Sequence, residues 1–204
     1  MINTFFDKIY CINLKKREDR MKRCDEIFVE LGLDVEYVEA VDGNEIYDEK
    51  YPIVAGYQGL NESIVNIIEN AETNGFDKIL ILEDDVEFID GALEIFDEHE
   101  RYIPETWGAL YLGGVNWFAP MKFKGRLHYS RRCLLGHAMG IRSTMFSKLK
   151  EELLKKDRPS DCCVADIYKS DSELNAYCFR PGICYQREGY SDNMNAKVPK
   201  TEVD

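Results

Sequence analysis

No run in this chain approaches the roughly 18 consecutive apolar residues that a membrane-crossing helix needs. The opening MINTFFDKIYCINLKKR also lacks the layout of a signal peptide, because its apolar part is short and starts at the first residue. Positive charge is in deficit: 26 Lys and Arg stand against 38 Asp and Glu, for a net charge of −12. A nucleic-acid binder needs a basic face, so DNA and RNA are set aside as partners. Direct docking on an anionic membrane is disfavoured for the same reason. Seven cysteines, at 11, 24, 133, 162, 163, 178 and 184, contain no CxxC pair for zinc or redox work. Their odd number and scattered spacing point to buried thiols in a reducing compartment. Internal repeats, low-complexity stretches, linkers and a Gly-rich phosphate loop near the N-terminus are all missing. The expectation is a cytoplasmic protein read as one domain over 1–204, either whole or part of a longer chain, with a flexible polar tail over 193–204.

What is present alternates between two periodicities. Residues 8–13, KIYCIN, read as a strand that ends in the basic turn LKKREDR. Residues 17–31 follow at helical spacing, with Met21, Cys24, Phe28 and Leu31 on one face and Gly32 as the stop. A second strand over 34–41 closes on the turn signal of Asp42 and Gly43, and 47–58 reads as loop. Asn61 is placed to cap a helix whose buried face is Ile64, Ile67, Ile68 and Ala71. Further on come a helix over 92–102, strands over 108–112, 137–141 and 176–179, and helices capped by Ser143 and Ser160. Residues 115–133 read as loop with room for a hairpin. Strands and helices alternating through the first 110 residues predict an α/β domain with a mostly parallel central sheet flanked by helices.

The sequence centres on KILILEDDVEF, residues 78–88. Four apolar residues in a row read as a strand buried on both faces, and they run straight into Glu83, Asp84 and Asp85. Ligands of open α/β sheets bind outside the carboxyl ends of the strands. Three adjacent carboxylates there repel one another unless a cation compensates. A hard divalent ion, Mg²⁺ or Mn²⁺, suits such oxygen ligands and takes one or two carboxylates beside water and phosphate. The competing reading is a solvated acidic turn. Arg17 and Arg20 lie three apart at a helix start and can bond a phosphate bidentately; solvated surface arginines are the alternative. Trp107, Trp117 and Phe118 flank the Gly113, Gly114 pair and divide between sugar stacking and core packing.

Five segments in order, spanning residues 8–192, resemble the family 25 glycosyltransferases, which include lipooligosaccharide and collagen-modifying galactosyltransferases. They are INLKKREDR, then Glu39 to Gly43 as EAVDG, the helix leading into LEDD, the LYLGG of residues 110–114 with His137 and Ala138 later, and finally Tyr185, Gln186 and Tyr190, Ser191, Asp192. One departure is clear. Where the family has Leu-Ser-His entering the helix before the acids, this chain has Asn61, Glu62 and Ser63.

The resemblance implies the GT-A fold and a metal-dependent transfer, with inversion, from a nucleotide sugar, most simply a UDP-sugar, to a glycan or glycoconjugate hydroxyl. It places Asn13, Leu14, Arg17, Arg20, Asp42, Glu83, Asp84, Gln186 and Asp192 around the donor. Asp85, with Glu83, would hold Mn²⁺ or Mg²⁺. Inversion needs a carboxylate base near the acceptor; Asp166 is the first candidate and Asp161 the second. Two rivals stay open: a catalytically inactive nucleotide-sugar-binding domain, and another nucleotide-sugar enzyme such as a nucleotidyltransferase.

Overall fold

A computed structural model describes residues 1–171 and 173–201. The chain runs through α1 (Ile2–Phe5), β1 (Lys8–Asn13), α2 (Glu18–Leu31), β2 (Val35–Glu39), α3 (Gly43–Ile46), α4 (Ala55–Asn74), β3 (Lys78–Glu83) and β4 (Val86–Phe88). It continues through α5 (Ala92–His99), β5 (Trp107–Tyr111), β6 (Val115–Asn116), β7 (Met121–Lys124), β8 (Leu127–Tyr129), β9 (Cys133–Leu134) and β10 (Ala138–Arg142). The last elements are α6 (Ser143–Leu154), α7 (Ser160–Ser170), β11 (Asn175–Phe179), β12 (Cys184–Gln186), β13 (Gly189–Ser191) and β14 (Ala196–Val198).

Eight strands form the central sheet in the order β2-β1-β3-β10-β5-β11-β8-β7. Strands β2, β1 and β3 are parallel neighbours, and β11 is parallel to β5. The reversed strand β10 sits between β3 and β5, antiparallel to both. Consequently β1, β2, β3, β5 and β11 all deliver their carboxyl ends to one edge. Strands β8 and β7 extend the sheet as an antiparallel hairpin.

The apolar run of β3 is buried on both faces, and its alternation divides it between two cores. Ile79 and Ile81 pack with Ile64, Ile68, Met145, Leu149 and Val164 on the face covered by α4, α6 and α7. Leu80 and Leu82 pack with Cys24, Phe28, Phe96 and Trp107 on the other face, beneath α1, α2 and α5. Burying each such side chain contributes about 1.5–3 kcal/mol. All seven cysteines are free thiols, and six of them are buried. Among the described residues, no helix is long and apolar enough to cross a membrane.

Three expectations shift. Helix α4 begins at Ala55 rather than at Asn61, which lies inside it and is buried. The reason is tertiary: Gly59 lets the helix touch the turn before α3, where a Cβ would lie 2.4 Å from the Val41 carbonyl oxygen. Ser143 and Ser160 begin their helices without a side-chain capping bond. The segment expected as a tail from residue 193 instead contains β14, paired antiparallel with β13; residues 202–204 lie outside the described part.

Candidate active site

A cleft of about 550 Å³ opens at the edge where β1, β2 and β3 end. Leu14, Lys16 and Arg20 line it from the turn after β1, and Asp42, Gly43 and Asn44 from the turn after β2. Glu83, Asp84 and Asp85 form its floor, and Gln186 with residues 190–195 its far wall. Five separated stretches of sequence thus meet at one sheet edge.

The acids are held by specific partners. Arg20 is only 8 % exposed. Its Nη1 makes a very close ion pair with Asp84 Oδ1 and a 3.2 Å contact with Asp85 Oδ2, while its Nη2 donates to the Tyr190 carbonyl at 2.6 Å. Asn13 Nδ2 donates to the other Asp84 oxygen at 2.9 Å. Gln186 Nε2 donates to Asp85 Oδ2 at 3.1 Å. The backbone of the turn is fixed as well: Arg187 N donates to the Asp85 carbonyl at 2.8 Å, and Cys24 Sγ contacts the Asp84 carbonyl at 3.4 Å. Arg17 and Arg20, expected to face a phosphate, therefore face carboxylates of this chain; Arg17 pairs with Asp192 at 2.6 Å and with Asp19 at 3.0 Å. A helical signal for Arg20 was available, because Arg20, Cys24, Ile27 and Phe28 are the buried face of α2.

Two oxygen sources stay uncommitted. Asp85 Oδ1 is buried without a hydrogen-bond partner. Glu83 ends β3 with its backbone N–H donating to the His137 carbonyl at 3.0 Å, and its carboxyl is pushed up to about 8 by burial first and then by the charges of Asp85, Asp84 and Asp161. Asp84 is raised too, by burial, with Arg20 opposing the shift. Among the described residues, no group of three or more His, Cys, Asp or Glu side chains is arranged to hold a metal ion. The donor set still fits a hard divalent ion, since such an ion needs only one or two protein carboxylates beside water and phosphate oxygens. An unpartnered buried carboxylate oxygen is the kind of atom that a cation would satisfy.

The remaining expected residues divide. Asp42 accepts from Lys16 Nζ at 2.7 Å and caps α3 through Asn44 N at 3.0 Å, so it lies on the cleft wall. Asp161, at the start of α7, accepts from Leu135 N at 3.1 Å and Cys162 N at 2.7 Å, close enough to Glu83 for its charge to act there. Asp166 lies a turn further along α7 and pairs with Arg158 at 2.7 Å and Arg132 at 4.0 Å; neither Asp161 nor Asp166 is part of the cleft lining.

Asn44 and the pairing of residues 189–198 went unread in the sequence. Asn44 lines the cleft, as does Lys16 of the basic turn after β1. The β13–β14 hairpin closes one side of the cleft; the resemblance had marked Tyr190, Ser191 and Asp192, but the polar residues from 193 onward pointed to a tail. His137, named with the fourth resembling segment, is 1 % exposed beside Asp85, and neither ring nitrogen has a hydrogen-bond partner, so it is not a satisfied strand histidine. Burial holds its pKa down at about 4, with the Asp85 charge opposing.

No family model matches the chain. A protein of Aedes aegypti named glycosyltransferase 25 family member is 34 % identical over 127 residues, covering 52 % of this chain and 21 % of that protein. Human procollagen galactosyltransferase 2 is 32 % identical over 101 residues, covering 41 % of this chain and 16 % of its own length. The chain thus spans about a fifth or less of these relatives. In structure, it resembles a glycosyltransferase involved in glycosylating the major capsid of PBCV-1, with a TM-score of 0.54 and 11 % identity over 92 % of this chain and 95 % of that one. Over about half its sequence this chain is similar to the family 25 glycosyltransferases, and over nearly all of its length it has a GT-A-like fold.

Proposed function

We propose that the chain is a metal-dependent glycosyltransferase that moves a sugar, with inversion, from a UDP-sugar to a hydroxyl of a glycan or glycoconjugate. The observation that carries this reading is the buried, unpartnered Asp85 Oδ1 beside Glu83 on the floor of a cleft at the strand ends. A divalent ion bound there supplies a Lewis acid for the leaving diphosphate. Asp85 and Glu83 are the residues that would hold it. Lys16 lies on the same wall and offers a positive charge to the donor, and Asp42 and Asn44 offer hydrogen bonds at the end where a base would sit.

Inversion requires that one carboxylate accept the acceptor hydroxyl proton as its oxygen attacks the anomeric carbon and the bond to diphosphate breaks. Asp161 and Asp166 both remain candidates for that base. Asp161 is tied to Leu135 N, next to the Gly136 that approaches Glu83, and Asp166 would have to part from Arg158.

A second reading, a nucleotide-sugar-binding domain without turnover, is favoured by Arg20, which already supplies a buried positive charge to Asp84 and Asp85. Calorimetric titration of UDP with Mn²⁺ and then with EDTA tests the site. Binding that disappears on chelation and in Asp85→Ala is expected; equal affinity in all three conditions would remove the metal role. Slow donor hydrolysis separates turnover from binding alone.

A further inference from the structure

The 38 acidic residues of the chain are all outside residues 106–150; that segment holds eight Lys or Arg and no Asp or Glu. This reverses the sign of an otherwise acidic protein over one continuous stretch. Part of the asymmetry has a structural cause. Lys122 and Lys124 lie on β7, the last strand of the sheet, where lysines discourage edge-to-edge pairing. Arg142 pairs with Asp77 at 3.1 Å at the opposite end of the sheet.

The β6–β9 ribbon is different. It leaves the sheet at the carboxyl end of β5, the same edge as Glu83, Asp84 and Asp85. Gly114, with φ of 145°, makes the turn out of the sheet, and Gly136 on the returning side lies beside the Glu83 carboxylate. The Trp117 N–H donates to the Arg132 carbonyl at 2.7 Å and so continues the ribbon. Its indole is 68 % exposed and Phe118 is 49 % exposed. The Arg131 guanidinium lies 5.5 Å from the centre of the Phe118 ring and takes part in no ion pair among the described residues. At about 3.3 Å per strand residue, Trp117 stands about 10 Å beyond Gly114. The cleft of about 550 Å³ lies on the β1–β2 side of the acids, while this ribbon lies on the β5 side, against α7 and Asp161.

We propose that Trp117, Phe118 and Arg131 form an acceptor subsite for an anionic glycan, the two rings stacking on sugar faces and Arg131 pairing with a carboxylate or phosphate of the acceptor. Two consecutive exposed aromatic residues, one of them against an arginine without an ion pair, have the chemistry of a carbohydrate platform with an anion clamp. Neutral glycans would use the rings alone and bind more weakly. This inference rests on the transferase reading above and narrows its acceptor class.

The test uses the full chain and four probes. These are a glucuronate-containing tetrasaccharide (hyaluronan), a mannose-6-phosphate oligosaccharide, neutral chitotetraose, and phosphatidylcholine vesicles with and without phosphatidylserine. Binding is read by emission from the exposed Trp117 and by calorimetry, at low and at high salt. At least one anionic saccharide should bind about tenfold tighter than chitotetraose at low salt, with the preference lost at high salt. Arg131→Ala should remove the preference, and Trp117→Ala should weaken binding of both saccharide classes about tenfold. UDP affinity with Mn²⁺ should stay unchanged in both variants. Absence of binding to both anionic saccharides, equal binding of charged and neutral saccharides, or binding only to phosphatidylserine vesicles would each overturn the proposal. If UDP binding fails in the unmodified protein, the transferase reading fails instead, so the two failures are distinguishable.

Discussion

Glu83 shows how much a single side chain is altered by its surroundings. Its carboxyl ordinarily titrates at 4.5 and here is pushed up to about 8, by burial first and by neighbouring acids second. Between those values the folded protein holds a proton that the unfolded chain has released. This group by itself makes the metal-free protein lose stability as pH rises from about 5 to about 8. Asp42, held below its ordinary value beside Lys16, acts in the opposite direction only at lower pH, whereas His137, held down at about 4 from 6.5, opposes the fall until pH passes about 6.5. The melting temperature should therefore drop between about pH 6.5 and about pH 8 without metal, and Mn²⁺ or Glu83→Gln should flatten the trend. A pH-independent melting temperature in the metal-free protein would exclude the buried, protonated carboxyl. Arg20 is the counterpart of Glu83. It is buried against two carboxylates, and removing one partner of a buried ion pair costs about 3–5 kcal/mol. Arg20→Ala should lower the urea midpoint accordingly, with the m-value unchanged; a loss under about 1 kcal/mol would mean that Asp84 and Asp85 are solvated, as exposed pairs are.

Among the elements, the β13–β14 hairpin and the start of α4 meet over the cleft at Gly56. A Cβ at this position would lie 2.3 Å from the Asn193 Cα. Helix propensity alone makes Gly→Ala favourable by up to about 1 kcal/mol, so the sign of the result is informative. Gly56→Ala should push the hairpin away from the cleft and weaken UDP binding about tenfold, with helix content retained. Unchanged UDP affinity would mean that the hairpin does not contribute to the site. The elements also show where periodicity was sufficient. The helix ending at Gly32 and the buried β3 are where apolar spacing placed them, because the helix fills one face with apolar residues and the strand fills both. The start of α4 was unreadable, since its two early glycines have low helix propensity and only the packing against α3 overrides it.

For the whole molecule, two cores share one eight-stranded sheet, so neither side can lose its packing without exposing the other. Urea unfolding followed by tryptophan emission, which Trp107 reports from the interior, and by far-ultraviolet circular dichroism should give coincident single transitions. Two separated transitions would mean that the faces unfold independently.

The sequence by itself determined the α/β class, the buried strand ending in Glu83, Asp84 and Asp85, and the resemblance that ties those acids to Arg17, Arg20, Asp42, Gln186 and Asp192. Local periodicity and residue chemistry are enough for such statements, because they depend on neighbours along the chain. Only the tertiary structure decided that Arg20 turns inward to the acids, that Asp85 keeps one oxygen free, and that residues 189–198 fold into a wall of the cleft. It also decided that Asp161 accepts from Leu135 N next to Gly136, which approaches the Glu83 carboxylate, while Asp166 is taken up by Arg158. Those outcomes depend on which charges meet across more than sixty residues of sequence and how deeply they are buried, and no local pattern encodes either.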